Sequence, residues 1–421
     1  MEHEFERPDH RYANQRTVLR RRLQILCIVA IVAVSVLVAG VVLWRNMGPA
    51  EPSAPTTLPT TLPGTTAAPL PTEPETVITL VAGGDINITD RVVAAGLQDG
   101  RYDYTHLFKD IAPIFSQADA AIVNLEGNLV GAPYGAANLS APLELVEALR
   151  SAGVDFIQMA NSQSIKNGIA GLTTTLNQIR QQGLEPVGAF SSQDEYDATQ
   201  GFTIRNIGGI RVAIVAFTKG LSGLTLPAGS ENRVNLLYKD YATNYQIIDT
   251  EGIRTVLQAV QAQEPDVVIA MLHWGSEHKS IISENQKKIQ SLMMEYGVDA
   301  IIGTHSHYVQ SVEYDAEAGT VVAYSLGDLL GDAEKADTNY SILLQLQITR
   351  NNRTGETKIT ACDYISTYTM TPERDGESMR ILRLDTAISM YERYHVDKVS
   401  LKTYESMLSA RSKIKSRTGM E

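Results

Sequence analysis

Five side chains of the kinds that bind transition metals stand in short, distinctive motifs. Asp85 stands in Gly-Gly-Asp, Glu126 in Asn-Leu-Glu, His273 in His-Trp-Gly, and His305 and His307 in Gly-Thr-His-Ser-His. Imidazole nitrogens and carboxylate oxygens are the donors that divalent transition metals prefer. The sequence therefore predicts a site for one or two divalent metals (Mn, Fe or Zn), which could activate water and hold the oxygens of a phosphate ester.

Each of these motifs has a simpler interpretation when it is taken alone. Gly-Asp after a strand is most often a turn, and His-Trp-Gly is often a packed or capping group. His-x-His is more suggestive of metal. All of the motifs, however, come at the C-terminal ends of predicted strands, where open α/β sheets have their ligand crevice. That shared position favours one common site.

The segments that would position these residues alternate between short β-branched runs and longer amphipathic stretches, which is typical of an α/β fold. The predicted strands are Val77–Gly83, Ala120–Asn124, Phe156–Ala160, Val212–Phe217, Val267–Leu272, Ala300–Gly303, Val321–Tyr324, Ile342–Ile348 and Lys358–Tyr364. The predicted helices are Pro142–Ser151, Gly171–Gln182, Thr250–Gln263 and Glu284–Tyr296.

The last predicted strands follow one another without long helices between them. Asn351–Gly355 has the composition of a hairpin loop, so we expect the sheet to end antiparallel. We place the folded domain at residues 77–395. After about Arg383 we expect a helix and then a frayed C-terminal tail, residues 396–421, because chain ends are often poorly ordered.

The N-terminal part of the chain contains an apolar stretch, Ile25–Trp44, whose length matches a membrane span. We therefore predict a transmembrane helix over residues 23–45. Basic residues precede the stretch, so the positive-inside rule places residues 1–22 in the cytoplasm and the main domain outside the cell. A cleaved signal peptide is the alternative, although its apolar part is usually shorter, about 7–15 residues.

Residues 46–76 are rich in Pro, Thr and Ala, a composition that favours extended polyproline II and cannot bury a core. We interpret this tract as a stalk between the membrane and the domain. Of the two cysteines, Cys27 lies in the membrane segment and Cys362 in the domain, so no disulfide can form within the domain. The formal charge of −12 argues against nucleic acid as a partner.

The order of the motifs resembles the bacterial capsule-synthesis CapA family, which is associated with poly-γ-glutamate and is similar to calcineurin-like metallophosphoesterases. The resemblance covers roughly Val77 to Asp332. It implies a four-layer α/β/β/α sandwich with a metal site at the sheet edges, and an envelope polymer or a capsule-synthesis complex as partner. The motifs that carry it are Gly84-Asp85, Asn124-Leu125-Glu126, Asn161-Ser162-Gln163 with Gly168, His273-Trp274-Gly275, Gly303-Thr304-His305-Ser306-His307 and Tyr324-Ser325-Leu326-Gly327-Asp328.

One motif departs from the family, which usually has Asn-Asn-His-x-x-Asp-x-Gly there. Asn161 is kept, but Ser162 replaces a ligand Asn, Gln163 replaces the His that serves as acid, and Lys166 replaces Asp. Glutamine cannot exchange a proton near neutral pH, so general acid catalysis would be lost at that position. A smaller departure is Asp328, where the family more often has Asn.

Three functions follow as hypotheses. The first is a protein of capsule synthesis or export that has impaired or no phosphoesterase activity and acts by binding polymer or a partner. The second is an active metal-dependent hydrolase of a phosphoester or envelope polymer, which would need another acid; His278 and His106 are the nearest unassigned histidines. The third is a structural surface domain with a vestigial crevice, which would bind no metal.

Overall fold

The structure is a computed structural model that describes residues 74–394 and 399–420. The predicted transmembrane helix and almost all of the predicted stalk lie outside these residues. Within the described residues, no helix has both the length and the apolar character needed to span a bilayer. The predicted anchor and the location outside the cell therefore stay predictions.

Strands and helices alternate through most of the described chain. The strands are β1 (Glu75–Asn87), β2 (Leu97–Gln98), β3 (Arg101–Tyr102), β4 (Ala120–Glu126), β5 (Phe156–Gln158), β6 (Glu185–Val187), β7 (Phe202–Ile207), β8 (Ile210–Thr218), β9 (Val267–His273), β10 (Ala300–Thr304), β11 (Val312–Asp315), β12 (Thr320–Ala323), β13 (Asp328–Leu330), β14 (Tyr340–Asn351), β15 (Thr357–Met370) and β16 (Arg380–Arg383). The helices are α1 (Asp90–Gly96), α2 (Thr105–Phe108), α3 (Ala112–Ser116), α4 (Glu144–Ala152), α5 (Gly168–Gln181), α6 (Gln193–Thr199), α7 (Thr250–Gln261), α8 (Glu284–Glu295), α9 (Pro372–Asp375), α10 (Leu384–Tyr394) and α11 (Leu401–Thr418).

Two large sheets carry the site. The first has the order β16-β15-β14-β1-β4-β5-β6, and β13 also pairs with β1. Its strands β1, β4, β5 and β6 are parallel, whereas β14, β15 and β16 continue it antiparallel. The second has the order β11-β12-β10-β9-β8-β7 and is parallel except at its two edges. The parallel strands of both sheets bring the functional loops to their C-terminal ends.

The two sheets pack against each other, and helices cover their outer faces. Strand β9 shows the reason, since it is buried along its whole length and reads as a continuous apolar run. Val267, Ile269 and Met271 join the core shared with the first sheet. Val268, Ala270 and Leu272 instead join a second cluster with residues of α7 and α8. Helices α4, α5 and α11 bury apolar side chains in the core on the side of the first sheet.

An aspartate placed directly before a parallel strand fixes its register to the neighbouring strand in four places. In each case the aspartate donates its backbone N–H to a carbonyl of the neighbour and accepts that residue's N–H on its carboxylate. The two bonds form a small ring at the N-terminal end of the pair. The four pairs are Asp119 with Thr79, Asp155 with Ala121, Asp266 with Arg211 and Asp299 with Val268.

The nine predicted strands and four predicted helices are all present, and the mixed α/β fold is confirmed. Strand β1 runs on to Asn87, beyond the predicted end at Gly83, because its last residues also pair with β4 and β13. The hairpin at Asn351–Gly355 is present, closed by bonds from Asn351 N to Glu356 O and from Gly355 N to Asn351 O.

The C-terminal segment differs from the expected tail. Residues Leu401–Thr418 form the helix α11, which begins at an N-cap, Ser400, whose hydroxyl accepts the N–H of Thr403. Met407, Ala410 and Ile414 are buried in the main core, and Thr418 is fully buried at the helix end. This packing, which composition alone does not reveal, holds the segment on the domain.

We expect Asp299→Ala to destabilise the fold by about 1–3 kcal/mol, because the buried N–H of Val268 loses its acceptor. Asp299→Asn keeps an acceptor and is the matched control. Burial also raises the pKa of Asp299 to about 6, so the ionised form is disfavoured in the folded state. The folded-state pKa lies above the unfolded one, so this carboxyl contributes most stability at low pH and loses it as the pH rises to about 6.

Urea unfolding of the wild type and both variants at about pH 4 and about pH 7 measures these effects. The stability of Asp299→Asn relative to wild type should increase with pH, by up to about 3 kcal/mol. A difference that is the same at both pH values would contradict the assigned pKa shift.

Candidate metal centre

Asp85 reaches the site because two glycines let the end of β1 come close to another backbone segment. A Cβ atom on Gly84 would lie 1.9 Å from the carbonyl oxygen of Gly327, so a larger residue cannot stand there. The N–H of Asp85 donates to that same carbonyl at 3.0 Å. In the parallel pairing of β1 with β13, Asp85 stands opposite Asp328. Two carboxylates are thereby placed side by side at the edge of the first sheet.

The carboxylate of Asp85 is fully buried and takes hydrogen bonds from both sheets. Asn124 on β4 donates its side-chain amide to one oxygen at 2.7 Å, and the backbone N–H of His305 donates to the other at 2.9 Å. Asn124 is itself held by Asn161, whose amide donates to it at 3.1 Å. Burial raises the pKa of Asp85 to about 6, although the charge of His307 and these hydrogen bonds oppose the rise.

A first group of possible ligands consists of Glu126, His273 and His305, at the ends of β4, β9 and β10. All three are buried, and one ligand atom from each lies within 4.8 Å of the others. Glu126 Oε1 is 3.4 Å from His273 Nε2, and the two imidazole rings have centroids 4.4 Å apart. His273 Nδ1 lies 3.1 Å from the hydroxyl of Thr304, a contact that orients the ring.

A second group consists of Asp85, His307 and Asp328, again with ligand atoms within 4.8 Å of one another. His307 Nδ1 lies 2.8 Å from Asp328 Oδ1. Burial alone would lower the pKa of His307, but the charge and hydrogen bond of Asp328, with the carboxylates of Glu126 and Asp85, raise it to about 10. In the absence of metal this group therefore holds an imidazolium paired with a carboxylate.

The first group has the opposite electrostatics. Burial is the main cause that lowers the pKa values of His273 and His305 well below the usual histidine range, and neighbouring imidazoles and Lys219 lower them further. Both rings are therefore neutral, the form that coordinates metal. Burial, with the nearby Asp85 carboxylate, raises the pKa of Glu126 well above its usual range.

The residues present fit a divalent transition metal. Glu126 Oε1 and His305 Nδ1 are buried polar atoms with no hydrogen-bond partner in the described part of the chain. Leaving such atoms unpaired costs free energy, and a coordinated ion would satisfy them. Mixed nitrogen and carboxylate donors in two adjacent groups suit one or two such ions. The five side chains predicted from the sequence are thus brought together, and their role as ligands stays a prediction.

Asp328 was not among the predicted ligands. The sequence marked it only as a departure from the family, because its contact with Asp85 depends on β13 lying beside β1, which no local pattern indicates. The Gly327-Asp328 pair does repeat the Gly84-Asp85 pair, and that repetition is the sequence feature that could have identified it.

The altered motif lies at the site, but its residues lie in different surroundings. Ser162 is buried, with its hydroxyl 2.9 Å from His273 Nε2. Gln163 is partly exposed; its backbone N–H donates to the side chain of Asn161 at 3.0 Å, and its amide lies 3.4 Å from Ser222 Oγ. Lys166 is exposed at the surface. Of the three changed positions, Ser162 is therefore buried against His273, Gln163 lies partly exposed at the cleft, and Lys166 lies on the surface.

A cleft of about 330 Å³ opens beside the two ligand groups. Gln163 lines it together with Glu126, His307 and Asp328. His278 also lines the cleft, with its ring centroid 5.1 Å from that of His307. His106, the other unassigned histidine, bonds to Gln98 and lines a separate cavity.

We expect His305→Ala to reduce bound metal, because the variant removes a nitrogen donor from the first group. His106→Ala, which lies outside the cleft, is the control. Elemental analysis and competition with a chelating dye should show an affinity at least about 10-fold weaker for the first variant alone. Unchanged occupancy in His305→Ala would refute the site.

Metal binding is also expected to weaken as the pH falls from about 10, because the His307 imidazolium must lose its proton to coordinate, and to weaken further below about 6. The carboxylate of Asp85 must be ionised to coordinate, and its pKa is raised to about 6, so acid protonates it in competition with the ion. The imidazolium of His307, with its pKa raised to about 10, should release its proton when the ion binds near pH 7. Calorimetric titration in buffers of different ionisation enthalpy measures that release. Binding without proton release at neutral pH would contradict these pKa shifts.

Comparison with known proteins agrees with the motifs. The family model described as bacterial capsule synthesis protein PGA_cap matches residues 79–333. The PGA biosynthesis protein CapA of Bacillus subtilis (strain 168) is 27% identical over 262 residues, covering 61% of this chain and 64% of that protein. The capsule biosynthesis protein CapA of Bacillus anthracis is 26% identical over 267 residues, covering 61% of this chain and 60% of that protein. The chain thus spans less than two thirds of these relatives.

Solved structures that resemble the chain are distant from it. A phosphatase from Mycoplasma pneumoniae has 15% identity and a TM-score of 0.42, covering 69% of this chain and 93% of that one. The calcineurin-like phosphoesterase YfkN from Bacillus subtilis has 13% identity and a TM-score of 0.41, covering 80% and 100%. The family match extends over more than half of the sequence and includes every motif of the site. The chain therefore belongs to the bacterial capsule synthesis protein family PGA_cap.

Proposed function

We propose that this chain is a membrane-anchored protein of capsule synthesis or export that binds an anionic envelope polymer through a metal centre and hydrolyses phosphoesters poorly or not at all. The observation that carries the proposal is the position of Gln163, which lines the cleft beside both ligand groups. An amide stands there in place of the family's acid.

Support for the metal comes from the two ligand groups and their unpaired buried atoms. Glu126, His273 and His305 would hold one ion, and Asp85, His307 and Asp328 would hold a second. A bound divalent ion supplies a positive charge that fixes an anionic oxygen and polarises its bond. Ser162, whose hydroxyl contacts His273 Nε2, offers only a short side chain where the family has an amide ligand.

Support for weak hydrolysis comes from the chemistry of Gln163. General acid catalysis typically contributes about 10²–10⁴-fold to a rate, and a side-chain amide has no proton to exchange near neutral pH. The residue that should protonate a leaving group is thus missing, whereas the six side chains of the two ligand groups are present. Such a site keeps the capacity to bind an anion.

The charge of the cleft makes binding of an anion depend on the metal. Glu277, Asp332 and Glu334 line the cleft, and Lys335 is the lysine among the lining residues. These carboxylates repel a polyanion such as poly-γ-glutamate, and the net charge of −12 adds to the repulsion. Divalent ions in the two ligand groups would reverse the sign of the potential at the cleft floor. Polymer binding should therefore require metal.

The anchor and stalk support a place at the cell surface. Ile25–Trp44 would span the membrane with the N-terminus inside, and residues 46–76 would hold the domain away from the bilayer. There it would meet envelope polymer or the complex that makes and exports it.

A second candidate, an active hydrolase, is favoured by one observation. His278 lines the same cleft as Gln163, and its ring stacks against that of His307. In this case His278 would act as the general acid.

Turnover of bis(p-nitrophenyl) phosphate separates the two candidates. We expect the metal-loaded wild type to be at background and Gln163→His to gain at least about 10-fold, because the variant restores a proton donor. Gln347→His, at an exposed position on β14, is the control for a histidine added elsewhere. The wild type should co-sediment with poly-γ-glutamate, and removal of the metal with a chelator should abolish this co-sedimentation.

Wild-type turnover that disappears in His278→Asn would instead establish the hydrolase. A wild type that binds neither metal nor polymer would leave the structural surface domain as the function.

A further inference from the structure

The loop that carries both histidines of the His-Ser-His motif has an unfavourable backbone. His305 has φ of 88° and His307 has φ of 59°, both in the left-handed region that side chains with a Cβ rarely adopt. Two such residues in one short loop persist only when surrounding contacts hold them there. The contacts that hold this loop therefore decide whether the imidazoles face the site.

On its inner side the loop is held by hydrogen bonds. His305 N donates to Asp85, and His278 N donates to Ser306 O at 2.8 Å. Ser306 and Tyr308 bond to each other twice, from Ser306 Oγ to Tyr308 O at 2.7 Å and from Tyr308 N to Ser306 Oγ at 3.2 Å. These bonds define the turn but leave the ring of Tyr308 to be fixed by other groups.

On its outer side the loop meets the end of helix α11. The guanidinium carbon of Arg417 lies 4.9 Å from the centroid of the Tyr308 ring and 5.7 Å from that of Tyr340. The Arg417 side chain is only 18% exposed, so this cation–π contact is largely shielded from water. Its Nη1 atom is buried and has no hydrogen-bond partner among the described residues. The guanidinium thus contacts two aromatic rings and one carboxylate.

That carboxylate belongs to Asp337, in a segment whose other residues line the cleft. Arg417 Nη2 lies 2.7 Å from Asp337 Oδ2, and Lys413 Nζ lies 2.5 Å from Asp337 Oδ1. Asp337 has φ of 72°, so the segment 331–339 also has a left-handed residue. Glu334, Lys335 and Thr338 of this segment line the cleft. One arginine therefore contacts both the histidine loop and the segment facing it.

We infer that Arg417 is a positioning residue for the metal centre: from helix α11 it holds the histidine loop, through Tyr308, and the cleft segment 331–339, through Asp337. The contacts of Arg417 with Tyr308 and Asp337 are part of the structure, and their effect on metal binding rests on the proposed function. Helix α11 lies outside residues 79–333, the part that matches the family model. Arg417 thus lies outside the part of the chain that matches the family model.

The experiment uses the full-length protein with Arg417→Gln, which removes the charge and the planar cation. Hydrogen exchange of the metal-free protein is measured for peptides covering 305–308 and 331–339, and Mn²⁺ affinity is measured by titration. We expect exchange at least about 10-fold faster in both peptides and affinity about 10–100-fold weaker. Arg417→Lys keeps the charge but not the planar stack on Tyr308. It should therefore restore slow exchange in the 331–339 peptide more than in the 305–308 peptide.

Lys413→Gln is the matched control, because Lys413 also bonds to Asp337, whereas the cation–π contact with Tyr308 is made by Arg417. It should loosen 331–339 only. Tyr308→Leu, which removes the same stack from the other side, replaces Arg417→Gln if that variant fails to fold, and should loosen 305–308. Equal effects of Arg417→Gln and Lys413→Gln on both peptides, or unchanged exchange in 305–308, would overturn the inference.

If the wild type binds no Mn²⁺, the proposed metal function fails, and hydrogen exchange alone still decides whether Arg417 holds the loop.

Discussion

A negative charge buried between two sheets must be surrounded by donors, because an unpaired buried carboxylate is too costly for a folded protein to keep. Asp85 meets this constraint with one donor from its own sheet, Asn124, and one from the other, the backbone of His305. The second bond joins the two sheets at their shared edge and places the histidine loop. Once His305 is held there, its ring lies beside that of His273, and His307 faces Asp328. The arrangement of the ligand groups follows from where this one carboxylate finds its partners.

Most of the fold and part of the site follow from sequence patterns that have direct physical causes. The nine strands are recognisable because strands buried on both faces need continuous apolar runs, as in β9. The clustering of Asp85, Glu126, His273 and the two later histidines follows from parallel topology, which brings the ends of parallel strands to one edge. Asp328 is different, since its place depends on a close approach of the backbone at Gly84 and Gly327. Contacts of that kind leave no periodic trace in a sequence.

The C-terminal helix illustrates the same limit for packing. Along Leu401–Thr418 the buried residues Met407, Ala410 and Ile414 are separated by charged and polar ones, so the apolar stripe is narrow. What fixes the helix is a set of long-range contacts, including Arg417 with Tyr308 and Lys413 with Asp337. Composition indicates that the terminal segment is charged, but the groups that these charges contact are distant in sequence and are seen only in the structure. The predicted N-terminal anchor and stalk, by contrast, rest on composition alone, and nearly all of their residues lie outside the described ones.

The paired hydrogen bonds made by the four aspartates hold neighbouring parallel strands together at the end of the sandwich opposite the ligand groups. Each ring of two bonds sets the register of its pair before the strands reach the functional edge. The long segment 219–249 between β8 and α7 has a different part: Asn235 N donates to Gly188 O after β6 of the first sheet, and Thr218 N at the end of β8 in the second sheet donates to Asn235 O. The register within each sheet is thus fixed at one end of the sandwich, and the two sheets are joined to each other at the opposite end, where the ligand groups lie.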